Sequence, residues 1–548
     1  MREKLIRLEL KSPLSIYSLC ILSSLLLTLS FPKFDFSFLV FFALLPLFLA
    51  LSCGEFSILK ILQVSLIFGT IHFSTLLYWI AYTLNRFGNI PWLGAIPILI
   101  LLSLYLSLYL FLFVWLSLRI KAFFKPTFLK GLLVGSIFVS CEFLRSTLLT
   151  GLPWGLIGYP LASFTLLLQS ADIYGIWGLS FLVVFINYYF FFTIKHLSDR
   201  TYKNTSFLVS QILFGMVITA VLSYGNHALS LWNHVLKQEK GSLRVTLLQG
   251  NIPQELKEAK ENEVSLNTYE KLFWKAWEKK PQIVFLPETS FPFYFPNEPK
   301  PSMELLSFFD RVRRDALLNN NQFPVFVFGT FRVSFSASPP KIHNSLMVWH
   351  DSNLIDFYDK ERLVPFGEYV PLVKYFPFLK RISVVSDILK PGEGKTLRVD
   401  LSNIVLEILP LICFESAFPQ ILVDRLKRGG DLVFIATNDA WFGKTSAPYQ
   451  HFQIAIVRAV ESRRYTLQAA NTGITGIINP LGQVEIKSDL ELEEVVHGYV
   501  KIYSQQTFFV KYGYIFPYVA LFVSVLTFIY TLLKPARFVR ALSYIDKH

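Results

Sequence analysis

Eight long apolar runs restrict this chain to a membrane protein before any single residue is considered. They lie at residues 13–31, 37–53, 59–82, 91–118, 128–149, 172–194, 206–225 and 512–533. A helix needs about 20 apolar residues to cross the hydrocarbon core, and 37–53 is at the short end of that range. Charged residues are only 17% of the chain. The sequence therefore predicts a multi-pass α-helical membrane bundle of about eight spans, with residues 1–225 as its main part.

The distribution of Lys and Arg predicts how these spans are oriented. Basic clusters occur in residues 2–11, 119–130, 195–203 and 534–547, whereas the opposite loops carry mostly single charges. Because cytoplasmic loops are enriched in Lys and Arg, we expect both termini in the cytoplasm and residues 226–505 outside it. Residues 506–548 then form the last span and a basic tail. The net charge of +13 follows largely from this topology, so we do not expect nucleic-acid binding.

Residues 226–505 have the pattern of an α/β domain. Short runs rich in Val, Ile, Leu and Phe alternate there with charged stretches of helical spacing. Buried strands with intervening helices are typical of layered α/β folds. We predict helices over 255–280, 303–319 and 451–470, and strands over 243–249, 282–286, 324–328, 345–349, 404–413, 431–436 and 476–479.

Two segments, 291–296 and 375–381, combine aromatic residues with proline and differ from ordinary connectors. On a free surface such segments would favour aggregation. Two interpretations stay open. The rings anchor the domain in the membrane interface, where aromatic residues are enriched, or they pack against the transmembrane helices.

Cys413 is the only cysteine between residues 226 and 505, and it ends the apolar run 404–413. The other three cysteines lie in or beside the predicted spans, so its thiol has no disulfide partner in the domain and is free to react. A thiol is a nucleophile only as thiolate and needs a base or a positive neighbour. The histidines of the domain show no pairing motif with it. Because HExxH and CxxC are absent from the sequence, we expect no metal site.

Two further ionisable residues lie where predicted strands end. Glu288 follows the apolar run 283–287, and Lys360 lies where a strand-like run gives way to a loop with Pro and Gly. The carboxyl ends of strands are where α/β folds assemble their sites. Each residue also has a structural interpretation: Cys413 as inert packing, Glu288 as a helix cap and Lys360 as a solvated ion-pair partner.

These three residues and their neighbours resemble a known family. Leu-Pro-Glu-Thr around Glu288, Tyr-Asp-Lys-Glu-Arg-Leu-Val-Pro-Phe-Gly-Glu-Tyr around Lys360 and Ile-Cys-Phe-Glu around Cys413 are similar to the Glu-Lys-Cys triad of the nitrilase superfamily. Together with residues 363–371 and 437–443, they resemble one branch, the apolipoprotein N-acyltransferases. The resemblance covers nearly the whole chain, including seven spans before the domain and one after it.

The resemblance implies a nitrilase-like αββα sandwich in the periplasm and an enzyme of the bacterial inner membrane. It implies transfer of a fatty acyl chain from a phospholipid, from the sn-1 position, to the α-amino group of the diacylglyceryl-cysteine of an apolipoprotein. Cys413 would be the nucleophile that carries the chain as a thioester, Glu288 the general base and acid, and Lys360 the group that stabilises the oxyanion. No cofactor or metal is implied, and we expect a monomer.

The resemblance also implies four supporting residues, and a fifth is expected from loop placement. Glu368 becomes a partner for Lys360, and Glu415 a further acidic group beside the nucleophile, although either is also open to a structural role. The resemblance places Asn438 and Trp441 near the active site, and Phe366 is expected to line a lipid-facing mouth that excludes water. Trp441 either lines the acyl channel or only packs.

Two other functions remain to be separated from this one. A membrane-anchored amidase of the nitrilase type would use the same triad on a small amide or nitrile, but it does not need eight spans or apolar loops. A transporter or scaffold with a degenerate domain would not need the triad. The presence of all three residues argues against the second alternative.

Overall fold

The computed structural model describes residues 12–54, 56–124, 127–238, 242–259, 261–336, 338–371, 373, 375–376, 389–401 and 404–533. The chain divides into two compact units. One contains the chain up to Tyr78, Ile96–Ala228 and the chain from Tyr514, and the other contains Trp79–Ala95 and Leu229–Gly513. The predicted division at residues 225 and 505 stays a prediction.

The first unit is built from apolar helices. Within the described residues, six helices are long and apolar enough to cross a membrane. They are α3 (Ile58–Leu76), α5 (Trp92–Phe123), α6 (Thr127–Thr147), α8 (Ala171–Ser198), α9 (Thr205–Lys237) and α16 (Ile515–Leu533). The first two predicted spans form shorter apolar helices, α1 (Pro13–Leu29) and α2 (Leu45–Ser52), the latter preceded by a 3-10 turn over Ser37–Phe41. The predicted class, a multi-pass helical bundle, is confirmed, and the number of spans is approximate.

Local chemistry sets the ends and bends of these helices. Ser12 caps α1 by accepting a hydrogen bond from the Ser15 N–H, and a proline occupies the first turn. Gly175 has φ +65°, which bends α8 near its start. After α6, the chain runs irregularly through a 3-10 turn (Tyr159–Ser163) and the short helix α7 (Thr165–Leu168). Arg145 and Glu142, both buried, bind backbone groups of this stretch, at Trp154 O and Ile157 N.

The second unit contains two β-sheets. The first has the order β13-β1-β2-β4-β5-β6, with β3 paired to β4, and the second has the order β12-β11-β10-β9-β8-β7. The strands are β1 (Ser242–Gln249), β2 (Ile283–Phe285), β3 (Phe291–Tyr294), β4 (Val325–Ser334), β5 (Lys341–His350), β6 (Asn353–Asp359), β7 (Leu397–Leu401), β8 (Ile404–Ile412), β9 (Leu432–Thr437), β10 (Thr466–Ala470), β11 (Gly476–Ile478), β12 (Val484–Lys487) and β13 (Glu494–Lys501). In the middle of each sheet the strands run parallel: β1, β2 and β4 in the first, and β8, β9 and β10 in the second.

Four layers surround two hydrophobic cores in this unit. Inward-facing side chains of both sheets, such as Phe285 and Phe434, fill one core between the sheets. On the outer face of the first sheet, a second core joins it to α11 (Asn262–Trp277) and α12 (Pro299–Leu318). The second sheet is covered by α13 (Pro419–Leu426) and α14 (Ala447–Ser462). Two five-residue helices, α10 (Gln254–Glu258) and α15 (Phe508–Tyr512), belong to the same unit, as does α4 (Tyr78–Arg86) from its second residue. The predicted αββα sandwich is confirmed.

Two local predictions were wrong. Residues 291–296 are neither interfacial anchors nor packed on transmembrane helices, since Phe291, Phe293 and Phe295 are buried in the core beside α11 and α12. The helix predicted over 451–470 ends at Ser462. There Arg463 adopts φ +52°, a left-handed conformation that ends helices, and the chain turns into β10.

Other predictions concern segments that lie partly or wholly outside the described residues. Tyr375 and Phe376 are exposed, in keeping with an aromatic segment at a surface, but residues 377–381 lie outside the described residues. The basic clusters at 2–11 and 534–547, as well as Lys125, also lie outside the described residues. The orientation in the membrane therefore stays a prediction.

Candidate active site

The three predicted catalytic residues all follow strands. Glu288 comes after β2, Lys360 directly after β6, and Cys413 directly after β8. Strands β2 and β6 belong to the first sheet and β8 to the second, so the two sheets meet at this site. All three side chains are at least nine-tenths buried. Electrostatic interactions link the Cys413 thiol to both Glu288 and Lys360.

Glu288 lies at the centre of a hydrogen-bond network. Its Oε1 accepts hydrogen bonds from Lys360 Nζ at 3.0 Å and from Asn344 Nδ2 at 2.7 Å. Its Oε2 accepts one from the backbone N–H of Asn438 at 3.0 Å. Three donors stabilise the negatively charged carboxylate. Because a carboxylate oxygen can accept two hydrogen bonds, Oε2 keeps capacity for one more proton donor.

A close backbone approach fixes the turn that carries Glu288. Gly329, in the neighbouring strand β4, lies so near this turn that a Cβ there would collide with the backbone of Pro287 and Thr289. Ser290 ties the two segments together, because its Oγ donates to Gly329 O at 3.0 Å and accepts from Gly329 N at 3.2 Å. The position of Glu288 is therefore set by rigid backbone rather than by a free loop.

Lys360 is held between two carboxylates. Its Nζ donates to Glu288 Oε1 at 3.0 Å and to Glu368 Oε1 at 2.9 Å, and the lysine is 1% exposed. Burial works against the charged ammonium, but the two carboxylates outweigh it and hold the pKa of Lys360 well above its ordinary value. Lys360 is therefore a fixed positive charge. Glu368 contacts it as the resemblance implies, and its Oε2 also accepts from the Val364 N–H at 2.8 Å.

Cys413 sits on a constrained turn. Its φ of +52° places it in the left-handed region, at an expected cost of about 1–3 kcal/mol for a residue with a side chain. Its carbonyl oxygen accepts hydrogen bonds from Ser416 Oγ at 2.9 Å and from His451 Nε2 at 3.2 Å, which hold this conformation. Burial raises the pKa of the thiol well above its usual value, Glu288 adds to this effect and Lys360 opposes it. The resting residue is thus a thiol, and its activation requires a base.

Glu415 supports the turn through hydrogen bonds to backbone and to a tyrosine hydroxyl. Its Oε1 accepts from the backbone N–H groups of Glu361 at 2.7 Å and Arg362 at 2.9 Å, and from the Tyr358 hydroxyl at 2.8 Å. Its Oε2 accepts from the Ile412 N–H at 2.7 Å. One carboxylate therefore joins the backbone before Cys413 to the backbone after Lys360. Burial raises the pKa of Glu415, and Arg425 opposes that shift.

The three residues expected near the substrates have different roles in the structure. The backbone of Asn438 binds Glu288, while its side chain is engaged with Gln254 at 2.8 Å and Asn471 at 3.0 Å. The Trp441 ring packs against Phe87 with centroids 5.2 Å apart, and its carbonyl accepts from Thr83 Oγ1 at 3.0 Å. Phe366 lies in the loop after Lys360 with φ +62°. Whether any of them contacts a substrate stays a prediction.

Sequence reasoning missed several buried polar residues here. Asn344 lies within β5 and binds both Glu288 and Glu368, at 2.7 and 3.0 Å. His451 pairs through Nδ1 with Asp439 at 3.1 Å, so a histidine does reach the nucleophile, through its backbone carbonyl. Asn344 could have been noticed in the sequence because it is a polar residue inside an apolar strand. No local feature of the sequence distinguished His451 from the other histidines. In the part of the chain that the structure describes, there is no cluster of three or more His, Cys, Asp or Glu side chains suited to a metal ion.

Two family models match the chain. Residues 23–189 match the model of the apolipoprotein N-acyltransferase N-terminal domain, and residues 244–504 match the carbon-nitrogen hydrolase model. The second match coincides with the two-sheet unit that holds Glu288, Lys360 and Cys413.

Relatives match over nearly the full length. The chain is 32% identical over 508 residues to the apolipoprotein N-acyltransferase of Geobacter metallireducens, covering 91% of this chain and 92% of that protein. It is 28% identical over 525 residues to that of Thermotoga maritima, covering 93% and 92%. Among solved structures, Nit3 of Saccharomyces cerevisiae, described as a member of branch 10 of the nitrilase superfamily, is 19% identical with a TM-score of 0.34. It covers 47% of this chain and 90% of its own.

Proposed function

The chain belongs to the apolipoprotein N-acyltransferase family, and on this premise we propose that Cys413, Glu288 and Lys360 carry out its acyl transfer. The enzyme is an N-acyltransferase that modifies lipoproteins in a bacterial membrane. The observation that carries the proposal is that Glu288 interacts with both of the other residues. Its carboxylate is bound by Lys360 and acts electrostatically on the thiol of Cys413.

In the first half-reaction, Glu288 takes the thiol proton as sulfur attacks the ester carbonyl of a phospholipid. The negative charge that develops on the carbonyl oxygen is stabilised by Lys360 Nζ and a backbone N–H. When the tetrahedral intermediate collapses, the bond to the glycerol oxygen breaks, and Glu288 returns the proton to that oxygen. Lysophospholipid leaves, and the acyl chain remains on Cys413 as a thioester.

In the second half-reaction, the α-amino group of a diacylglyceryl-cysteine attacks the thioester. Glu288 takes a proton from the attacking nitrogen, the carbon–sulfur bond breaks, and the proton passes to the Cys413 sulfur. The products are an amide-linked third acyl chain and the resting thiol. Every proton transfer uses a side chain, so the scheme requires no cofactor. Because one site serves the two substrates in turn, the kinetics are ping-pong.

The substrates and the location follow from this scheme and from the charge pattern. We propose a phospholipid donor that gives up its sn-1 chain and a diacylglyceryl apolipoprotein acceptor. The two-sheet unit would lie in the periplasm, on the outer side of the inner membrane, because the basic clusters favour cytoplasmic placement of the alternate loops. The enzyme would act as a monomer, because all residues of the scheme come from one chain.

Mass spectrometry of the detergent-solubilised enzyme after incubation with phospholipid alone tests the first half-reaction. We expect a mass increase of one acyl chain, located on the peptide that contains Cys413 and removed by hydroxylamine, which cleaves thioesters. Cys413→Ser is the matched control, because it changes a single atom and should carry no hydroxylamine-sensitive acyl chain. Absence of the acyl chain from the wild-type enzyme contradicts the proposal.

The second half-reaction separates the transferase from an amidase. Adding a synthetic diacylglyceryl-cysteine peptide to the acylated enzyme should convert the thioester into a triacylated peptide. If the enzyme instead hydrolyses small amides and leaves phospholipid and peptide unchanged, then it is an amidase anchored in the membrane.

A further inference from the structure

Lys257 is a buried amine that the proposed mechanism does not use. It lies on α10, just after β1, and is 5% exposed. Its Nζ has no hydrogen-bond partner among the described residues. The other polar side chains of this short helix are engaged elsewhere: Gln254 with Asn438, Glu255 with Arg86, and Glu258 with Gln254.

The amine is linked to the reaction centre by charge. The carboxylate of Glu288, the proposed base, acts electrostatically on Lys257. The helix of Lys257 is joined to the same centre a second time, because Gln254 binds the side chain of Asn438, whose N–H binds Glu288. Burial lowers the pKa of Lys257 to about 7, and Glu288 opposes that shift.

A buried ammonium without a partner is costly for a folded protein. At Lys360 this cost is offset, because two carboxylates bind one ammonium. Lys257 has no such arrangement among the described residues. An anionic ligand that binds such an ammonium offsets this cost, because the two groups form a charge-assisted hydrogen bond.

Resting on the proposed function, we infer that Lys257 is a binding site for the anionic phosphodiester group of the phospholipid donor. In a phospholipid, this group is joined to the reacting sn-1 ester through the glycerol backbone, a few bonds away. A cation that interacts with Glu288, and whose helix is joined to Glu288 through Asn438, can therefore bind this group while the ester carbonyl lies at Cys413. The acceptor carries no phosphate, so the site acts on the first half-reaction only.

Diacylglycerol tests this inference because it has the same ester and chains as phosphatidylethanolamine and lacks the phosphate. The rate of thioester formation on Cys413 is measured for both donors in the full-length enzyme in detergent. Lys257→Met, which has a similar shape and no charge, should lower the rate with phosphatidylethanolamine relative to diacylglycerol by about tenfold or more, as for a lost hydrogen bond to a charged group. Lys257→Arg should retain more of this preference. Lys275→Met, at an exposed lysine of α11, is the control and should leave the ratio unchanged.

Each outcome decides between the possible roles. Equal losses of rate with both donors would mean that Lys257 acts on Glu288 rather than on phosphate. Unchanged rates with both donors would mean that it acts on neither. Both results overturn the inference. Inorganic phosphate is added in the diacylglycerol reaction as a separate probe. If it raises that rate to the phospholipid level, the site takes free phosphate and not the donor's own group. If the wild-type enzyme forms no thioester from either donor, the proposed function itself fails, which is a distinguishable result.

Discussion

Replacing Glu415 by glutamine tests whether this residue supports the active-site turn or takes part directly in the chemistry. Glu415 accepts four hydrogen bonds, from Tyr358 Oη, Glu361 N, Arg362 N and Ile412 N. Glutamine has nearly the same shape but offers one oxygen and one NH₂ group. In its better orientation, the amide oxygen keeps the three partners of Oε1, and the NH₂ group then faces the N–H of Ile412, so two donors oppose each other.

The expected loss of stability follows from this count. Each buried donor without a partner costs about 1–3 kcal/mol, and three hydrogen bonds to a charged group become weaker neutral ones. Removing a buried charge offsets part of this, because the desolvation cost of the carboxylate disappears. We expect Glu415→Gln to lower the free energy of unfolding of the two-sheet unit by about 3 kcal/mol. For a unit of this size, that corresponds to a fall of roughly 6–12 °C in the unfolding temperature.

Tryptophan fluorescence during heating in detergent measures the unfolding temperature, and mass spectrometry measures the thioester on Cys413. At temperatures where Glu415→Gln is folded, thioester formation should be slower but detectable, because the turn is loosened and the reacting groups remain. Cys413→Ser is the opposite control, with no thioester and an unfolding temperature near that of the wild type. If Glu415→Gln unfolds at the wild-type temperature and forms no thioester, then Glu415 acts on the reacting atoms, and the structural argument is refuted.

Three further predictions concern the charges of the site. Glu288→Gln should abolish thioester formation yet speed alkylation of Cys413 by iodoacetamide, because burial and then Glu288 raise the pKa of this thiol; unchanged alkylation would contradict this. Glu368→Gln should slow thioester formation about tenfold, the effect of one hydrogen bond to a charged group, as measured by single-turnover mass spectrometry; a wild-type rate would argue against its role in holding Lys360. Between pH 7 and 9, the wild type should gain about 2.3 kcal/mol of stability relative to Lys257→Met. The reason is that a lysine with a pKa of about 7 when folded and about 10.4 when unfolded binds fewer protons in the folded state. Parallel pH profiles of unfolding for the two proteins would contradict the low pKa.

Five of the six strands of the parallel centre were predictable because buried central strands are continuous apolar runs, whereas β10 was taken for the end of a helix. All seven predicted strands exist, among them β1, β2 and β8. Strand β3 was missed although Phe291, Phe293 and Phe295 alternate, because the prolines between them argue against a strand. The structure resolves this conflict: β3 pairs only with β4, and a strand with one neighbour tolerates proline. The helix predicted for α14 was too long because the true end depends on one left-handed residue, Arg463. An arginine side chain does not indicate that conformation in a sequence.

In the site, residues at strand ends could be foreseen and residues buried by tertiary packing could not. Glu288, Lys360 and Cys413 each follow an apolar run, and the resemblance connected them. Lys257 lies in a stretch dense with charge, where an exposed lysine is the ordinary expectation. Its burial results from the packing of α10 near Asn438, nearly two hundred residues later in the sequence. His451 was not recognised for the same reason, since its contact with the Cys413 carbonyl depends on how α14 packs.

The contacts of Lys360 and Lys257 show why the two lysines suit different roles. Glu288 and Glu368 both bind Lys360, so these two carboxylates carry one negative charge more than that ammonium balances. Lys257 interacts electrostatically with Glu288 but makes no hydrogen bond among the described residues. In the proposed first half-reaction, a donor phosphodiester at Lys257 supplies the hydrogen-bond partner that this amine lacks and favours the protonated lysine. Lys360 already has two carboxylate partners, so a phosphodiester would gain less there than at Lys257. The amine without a partner, rather than the paired one, is therefore the group that we assign to the donor.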